Sequence, residues 1–214
     1  MKVAIIGSGV VGEVLANGFL KHGHSVMRAS REPVKLNDWK IKAGEKAQTG
    51  TFQQAAIFGE LIVLAVKGVA SESAVELCGL ANLKGKTVID ATNPIAEKPP
   101  VKGVLQFFSD MNGSLMESLQ KIAPDANFVK AFSCVGNAVM INPKFAAGKP
   151  SMFICGNSDK AKGVVRDILD QFGWETEDMG GVEAARAIEP LCMLWCIPGI
   201  THNQWNHAFK LIRA

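Results

Sequence analysis

Apolar runs of strand length, rich in Val and Ile, recur along the chain at 3–6, 25–29, 61–66, 87–90, 128–132 and 152–155. The run LIVLAV at 61–66 has no polar face, which predicts a strand covered on both sides. Between these runs, segments 11–22 and 71–80 carry apolar residues at helical spacing. The alternation predicts a parallel sheet with helices on both faces, the first half reading as βαβαβ. The first helix is expected to begin at the turn Gly7-Ser8-Gly9 and to end near Lys21, with Gly23 as a left-handed cap before a strand at His24. Beyond 152–155 the pattern predicts a helix at 159–172, an extended piece at 174–177 and a last helix at 183–196. That helix places Ala184, Ala187, Ile188, Leu191, Leu194 and Trp195 on one broad face, and Pro190 is expected to bend or break it. The stretch 93–113, with Pro94, Pro99, Pro100 and Gly103, interrupts the alternation and carries Phe107, Phe108 and Met111; it reads as a loop over a site.

Composition narrows the classes. The 214 residues are 48% apolar and 20% charged, enough to bury a core in one or two domains. Lys and Arg number 23 against 20 Asp and Glu, a scattered +3 that is too weak for a nucleic-acid footprint, so no nucleic-acid partner is expected. No apolar stretch approaches the roughly 18 to 20 residues of a membrane helix. The apolar start at 3–6 ends at once in a glycine turn, unlike a signal peptide, and a cytoplasmic protein with no membrane partner is expected. Five cysteines (Cys78, Cys134, Cys155, Cys192, Cys196) form no CxxC pair and lie in apolar runs, which suits buried reduced thiols. His22, His24, His202 and His207 have a spacing that suits no metal motif, and no metal is expected.

The candidate chemistry begins at Gly7-Ser8-Gly9-Val10-Val11-Gly12, a GxGxxG between a predicted strand and a predicted helix. Gly7 permits the tight turn, Gly9 lets the backbone approach a pyrophosphate, and Gly12 lets the helix pack closely on the strand. Free N–H groups at the helix start then bind phosphate. An NAD site normally carries Asp or Glu about 20 residues on, whereas this chain has Arg28-Ala29-Ser30-Arg31. The guanidinium of Arg31 and the hydroxyl of Ser30 suit a 2′-phosphate, with Lys35 adding a point charge, and NADP is favoured; Glu32 is placed to turn toward the ribose instead. The expected fold is α/β, a Rossmann-type doubly wound, mostly parallel sheet with a small carboxyl-terminal α/β extension. Residues 1–137 form the NADP-binding domain of this reading, and 138–214 a small subdomain packed on it.

Beyond the glycine loop the chain carries SRE at 30–32, LAVKG at 64–68, DATNP at 90–94, VKAF at 129–132 and GGVEAARAIEPLCMLW at 180–195. With these motifs it resembles the NADP oxidoreductases dependent on coenzyme F420, which share their amino-terminal fold with pyrroline-5-carboxylate reductase and the STEAP metalloreductases. The resemblance covers nearly the whole chain. It implies that Ser8 to Val11, Ser30, Arg31 and Lys35 line the adenosine and phosphate half of an NADP site, and that Val66, Lys67 and Ala70 follow the dinucleotide. It also implies that Thr92, Asn93 and Pro94 sit near the nicotinamide, with Ala131 and Phe132 at the end of the next strand. Met193 and Trp195 of the last helix would wall the second substrate's pocket, and a homodimer is implied by likeness alone. Relatives often carry Asn after the KAF motif, where this chain continues Phe132-Ser133-Cys134.

The activity implied is hydride transfer between NADPH and a second redox cofactor such as coenzyme F420 or a flavin. No side-chain acid is obligatory, and none of the residues forms a convincing catalytic dyad, so positioning would be the main catalytic work. About 60 residues follow Cys155, too few for the long helical second domain of imine reductases of the pyrroline-carboxylate type. The competing reading is an NADP-binding sensor or interaction protein without turnover.

Overall fold

The computed structural model describes residues 1–214. The order is β1 (Lys2–Ile6), α1 (Val10–Lys21), β2 (Ser25–Ala29), α2 (Asn37–Ala43), β3 (Ala47–Gly50), α3 (Phe52–Phe58), β4 (Leu61–Leu64), α4 (Ser71–Leu77), α5 (Leu80–Leu83) and β5 (Thr87–Asp90). There follow α6 (Leu115–Ile122), β6 (Asn127–Lys130), β7 (Ser151–Ile154), α7 (Asp159–Gln171), β8 (Glu175–Asp178) and α8 (Ala185–His202). Six strands form one parallel sheet in the order β3-β2-β1-β4-β5-β6, and β7 and β8 form a second parallel pair. This is the Rossmann-type α/β architecture expected, with its carboxyl-terminal extension.

Strand periodicity distributes the core. Successive side chains point to opposite faces, so Val3 and Ile5 of β1 enter one apolar layer while Ala4 and Ile6 enter the other. The first layer also takes Leu15 and Phe19 of α1 and Val165, Ile168 and Phe172 around α7. The second takes Val75, Leu119 and Ile188 from α4, α6 and α8. Segments before and after residue 137 therefore share both layers. Gly23 has φ +85 just past α1, the left-handed stop expected there. No helix is long and apolar enough to cross a membrane.

Three features depart from expectation. The strand β3 and helix α3 are absent from the hydrophobic pattern, because β3 is an edge strand in which only Ala47 and Gly50 are buried. The Thr51 side chain accepts from Gln54 N while Gln54 Oε1 accepts from Thr51 N, a capping box that starts α3 without any long apolar run. Pro190 does not end the last helix, which runs through it and Pro198 to His202. Its buried residues are Ala185, Ile188, Glu189, Cys192, Trp195 and Gly199, while Ala187 and Leu194 are exposed. Glu189, just before Pro190, is tied to the start of α6, its carboxylate accepting from the N–H groups of Leu115 and Met116.

Candidate functional site

The strand order reverses between β1 and β4, and in an open parallel sheet the carboxyl ends at such a switch point form a crevice. The glycine loop lies at the end of β1. A Cβ on Gly7, whose φ is +151, would stand 2.2 Å from Ala65 O, and one on Gly12 would stand 2.5 Å from Gly7 O. These two glycines let three segments meet. Gly9 differs, since a Cβ there would meet nothing within 4 Å and would project into open space. No side chain caps α1, and the N–H groups of Ser8 through Gly12 donate to nothing within the chain. Beneath the loop, Arg28 is 2% exposed and donates from Nη2 to Ser8 O (2.8 Å) and Gly9 O (3.0 Å).

Ser8, Gly9, Arg31, Val66, Lys67 and Ala70 line one cavity of about 520 Å³. Phe52, Ala65, Val69, Ser73, Ala74 and Leu77 complete it, none of them among the site residues the sequence singles out. The capping box at Thr51 and Gln54 was the signal available, since it places Phe52 at the first position of a helix after a strand end. Ser30 is buried, its hydroxyl accepting from Glu32 N at 3.1 Å. Glu32 is paired with Lys35 at 2.9 Å, and Lys35 hydrogen-bonding holds its carboxyl below the usual range. Lys35 itself lines a neighbouring polar pocket with Ser8, Arg28 and Trp39.

A second cavity, about 510 Å³, is lined by Val66, Lys67, Thr92 and Asn93 together with Ile95, Ala96, Glu97 and Lys98 from the 93–113 loop. Asn93 donates from Nδ2 to Ser133 O at 2.7 Å, while Asn93 Oδ1 and Ser133 Oγ are buried without a partner. Gly68 approaches the same place so closely that a Cβ would stand 1.9 Å from Asn93 O. Pro94 is buried, and Ala131 and Phe132 lie in the core. Phe132 takes a left-handed φ of +61, and its ring packs on Phe172 rather than facing the cavity. The loop is tied by bridges between Ile95 and Phe107 and between Val101 and Val104, leaving Met111 exposed.

A wholly buried ion cluster stands behind this wall. Lys130 Nζ lies 2.7 Å from Asp90 Oδ2, 2.8 Å from Glu189 Oε1 and 3.0 Å from Thr92 O. Burial alone would push the Lys130 ammonium down, but the two carboxylates outweigh it and hold its pKa above the ordinary lysine value. Asp90 Oδ1 accepts from Thr92 N and Oγ1, and Glu189 accepts from the N–H groups of Leu115 and Met116 at the start of α6. Nearby, burial pushes the Cys134 thiol up to about 12. Met193 is half-buried, and Trp195 is buried with its indole N–H on His207 O.

The model of the family described as NADP oxidoreductase coenzyme F420-dependent matches residues 2–94. The chain is 30% identical over 212 residues to the F420-dependent NADP reductase of Methanocaldococcus jannaschii, covering 91% of this chain and 90% of that protein. The chain belongs to this family. A crystal structure from Arthrobacter sp. fb24, provisionally described as an F420-dependent NADP reductase, superposes with a TM-score of 0.92 at 29% identity over the full length of both chains. The chain is also 32% identical over 206 residues to the metalloreductase STEAP3 of Rattus norvegicus, spanning 92% of this chain but only 38% of that relative. The family is one of NADP-dependent oxidoreductases, and NADP is its cofactor. The residues present fit that cofactor: unpartnered N–H groups surround a glycine that leaves open space, and a cationic side chain, Arg31, lines the same cavity.

Proposed function

We propose that the protein transfers a hydride between NADPH and a deazaflavin of the coenzyme F420 type or a flavin. Bound NADPH supplies the hydride and both electrons. The single observation that carries this reading is that the two cavities share Val66, Lys67 and Val69, so a groove running from Arg31 continues into a second chamber beside Asn93. In this reading the N–H groups of the Gly7–Gly12 loop, from Ser8 through Val10 and Val11, bind the pyrophosphate. Ser30, Arg31 and Lys35 hold the 2′-phosphate. Val66, Lys67 and Ala70 flank the dinucleotide, and Thr92, Asn93 and Pro94 orient its redox end. Ala131 and Phe132 lead from the end of β6 to Ser133, whose carbonyl accepts from Asn93.

The chain's own contribution is positioning. Val66, Val69, Ile95 and Ala96 supply the apolar part of the second chamber's lining, and its ionisable groups are Lys98 and the exposed pair Lys67 and Glu97, 3.5 Å apart. Holding two rings in contact supplies most of what such a transfer needs. The test is oxidation of NADPH, with NADH in parallel, by the purified protein offered FMN, FAD, riboflavin and a deazaflavin. Turnover with one acceptor and a preference for NADPH is the expected result. Tight NADPH binding with no turnover on any of them would overturn it in favour of a sensor.

A further inference from the structure

Arg28 makes none of the cofactor contacts assigned above, yet its guanidinium is fixed from several sides. Nη2 donates to the carbonyls of Ser8 and Gly9 at 2.8 and 3.0 Å, and Nη1 donates to Glu13 Oε2 at 3.0 Å. The Trp39 ring lies 5.3 Å from Cζ, and its own N–H is tied to Asn17 Oδ1 at 2.8 Å. Every peptide bond is trans, so the carbonyl and the N–H of one peptide unit point in opposite directions. The Ser8 carbonyl shares its unit with the Gly9 N–H, and the Gly9 carbonyl shares its unit with the Val10 N–H. We propose that Arg28 is a positioning residue for the pyrophosphate: it holds two loop carbonyls beneath the loop and thereby aims the Gly9 and Val10 N–H groups into the cleft. The Gly9 carbonyl is also held by Glu13 N at 3.0 Å, the first turn of α1, whereas the Ser8 carbonyl has Arg28 as its partner; without that hold the Ser8–Gly9 unit is free to turn its carbonyl oxygen toward an anion, which repels it.

The inference rests on the reading that this loop binds pyrophosphate, and it separates two arginines close together in sequence. Pyrophosphate is common to NADPH and NADH, so Arg28 governs the affinity for both. The 2′-phosphate belongs to NADPH alone, so Arg31 governs the ratio. The long planar fork is what the geometry uses, because one Nη reaches two carbonyls while the other reaches Glu13.

The experiment is equilibrium binding of NADPH and NADH to the wild-type protein and to Arg28→Lys, Arg28→Gln, Arg31→Ala and Gly9→Asp, with thermal melting of each without nucleotide. Arg28→Lys keeps the buried charge but not the fork. It is expected to raise both dissociation constants about tenfold, the scale of one lost charged hydrogen bond, with their ratio unchanged. Wild-type affinity in folded Arg28→Lys and Arg28→Gln, or a loss confined to NADPH, would overturn the proposal. Gly9→Asp places a carboxylate in open space at φ −77 and ψ 177, a conformation any residue adopts. If it binds NADPH as the wild type does, the loop reading itself falls. If it blocks binding while the Arg28 variants bind normally, only the role of Arg28 falls. A measurement needing no variant is titration of inorganic pyrophosphate into isotope-labelled wild-type protein. The Gly9 and Val10 amide resonances and the Arg28 Nη resonances are expected to move together; amides that move with Arg28 unmoved would overturn the coupling.

Discussion

At the glycine-loop end of the site the N–H groups of Ser8 through Gly12 have no partner in the chain, and Arg28, which donates to the Ser8 carbonyl, is only 20 positions away in sequence. At the Asn93 end the wall is braced by Lys130 and Glu189, with hydrogen bonds that span 38 and 74 positions. The first end is a strand, a turn and a helix that meet because glycines allow it. The second needs β5, β6, α6 and α8 to be in place together. The difference teaches where each end is vulnerable. A substitution at the loop end changes what is bound, whereas a substitution at the far end changes whether the wall stands.

The largest expected effect comes from breaking the far end at its centre. Lys130→Met leaves the Asp90 and Glu189 carboxylates buried without their cation, and a loss of about 3–5 kcal/mol is expected in denaturant unfolding. An unchanged unfolding midpoint would show that the two ends do not differ in this way. Gly68→Ala tests the same wall without touching the charges. Its Cβ must displace the Asn93 carbonyl, and turnover with the preferred acceptor is expected to fall about 100-fold, the scale of a 1 Å misplacement. Binding of 2′-AMP, which reaches only the Arg31 end, should be unaffected.

At the loop end, Arg31→Ala is expected to weaken NADPH about tenfold and NADH hardly at all, with the fold stable by melting. Equal effects on both nucleotides would remove the 2′-phosphate assignment. The smallest effect is expected where α6 and α8 meet at the surface. Arg186 donates to both oxygens of Glu117, and that hydrogen bonding holds the Glu117 carboxyl below its usual value. A carboxyl lowered in the folded state adds stability above its unfolded pKa and loses it as pH falls through the folded one. Arg186→Ala should therefore lower the melting midpoint at neutral pH by under about 2 °C. The difference should vanish in acid; a difference that grows there would contradict the assignment.

The same contrast explains what was legible in the chain. That Ser8, Gly9 and Arg31 line one cavity follows from spacing along a strand–turn–helix unit, which is also spacing in space, whereas Ser30 is buried and does not line it. Phe52 and Leu77 line the same groove from α3 and α4, and neither the capping box that starts α3 nor the spacing along α4 ties them to the loop. Arg28 stood next to the residues singled out, but the alternation along β2 alone does not say that its side chain turns under Ser8 and Gly9. Glu189 looked like one polar residue on a helix about to be broken by Pro190. In the fold its carboxylate is buried against Lys130 and the α6 amides, and the helix runs on through Pro190.

Hydrophobic period and local backbone requirements act over a few residues, so the parallel α/β architecture and the glycine loop between β1 and α1 could be read along the chain. Only the tertiary structure decided which chamber continues the groove, which arginine braces the loop and how α8 is held. Those depend on pairing groups that lie tens of residues apart. A buried charge must find its partner wherever the fold brings one, and that meeting is not written in local spacing.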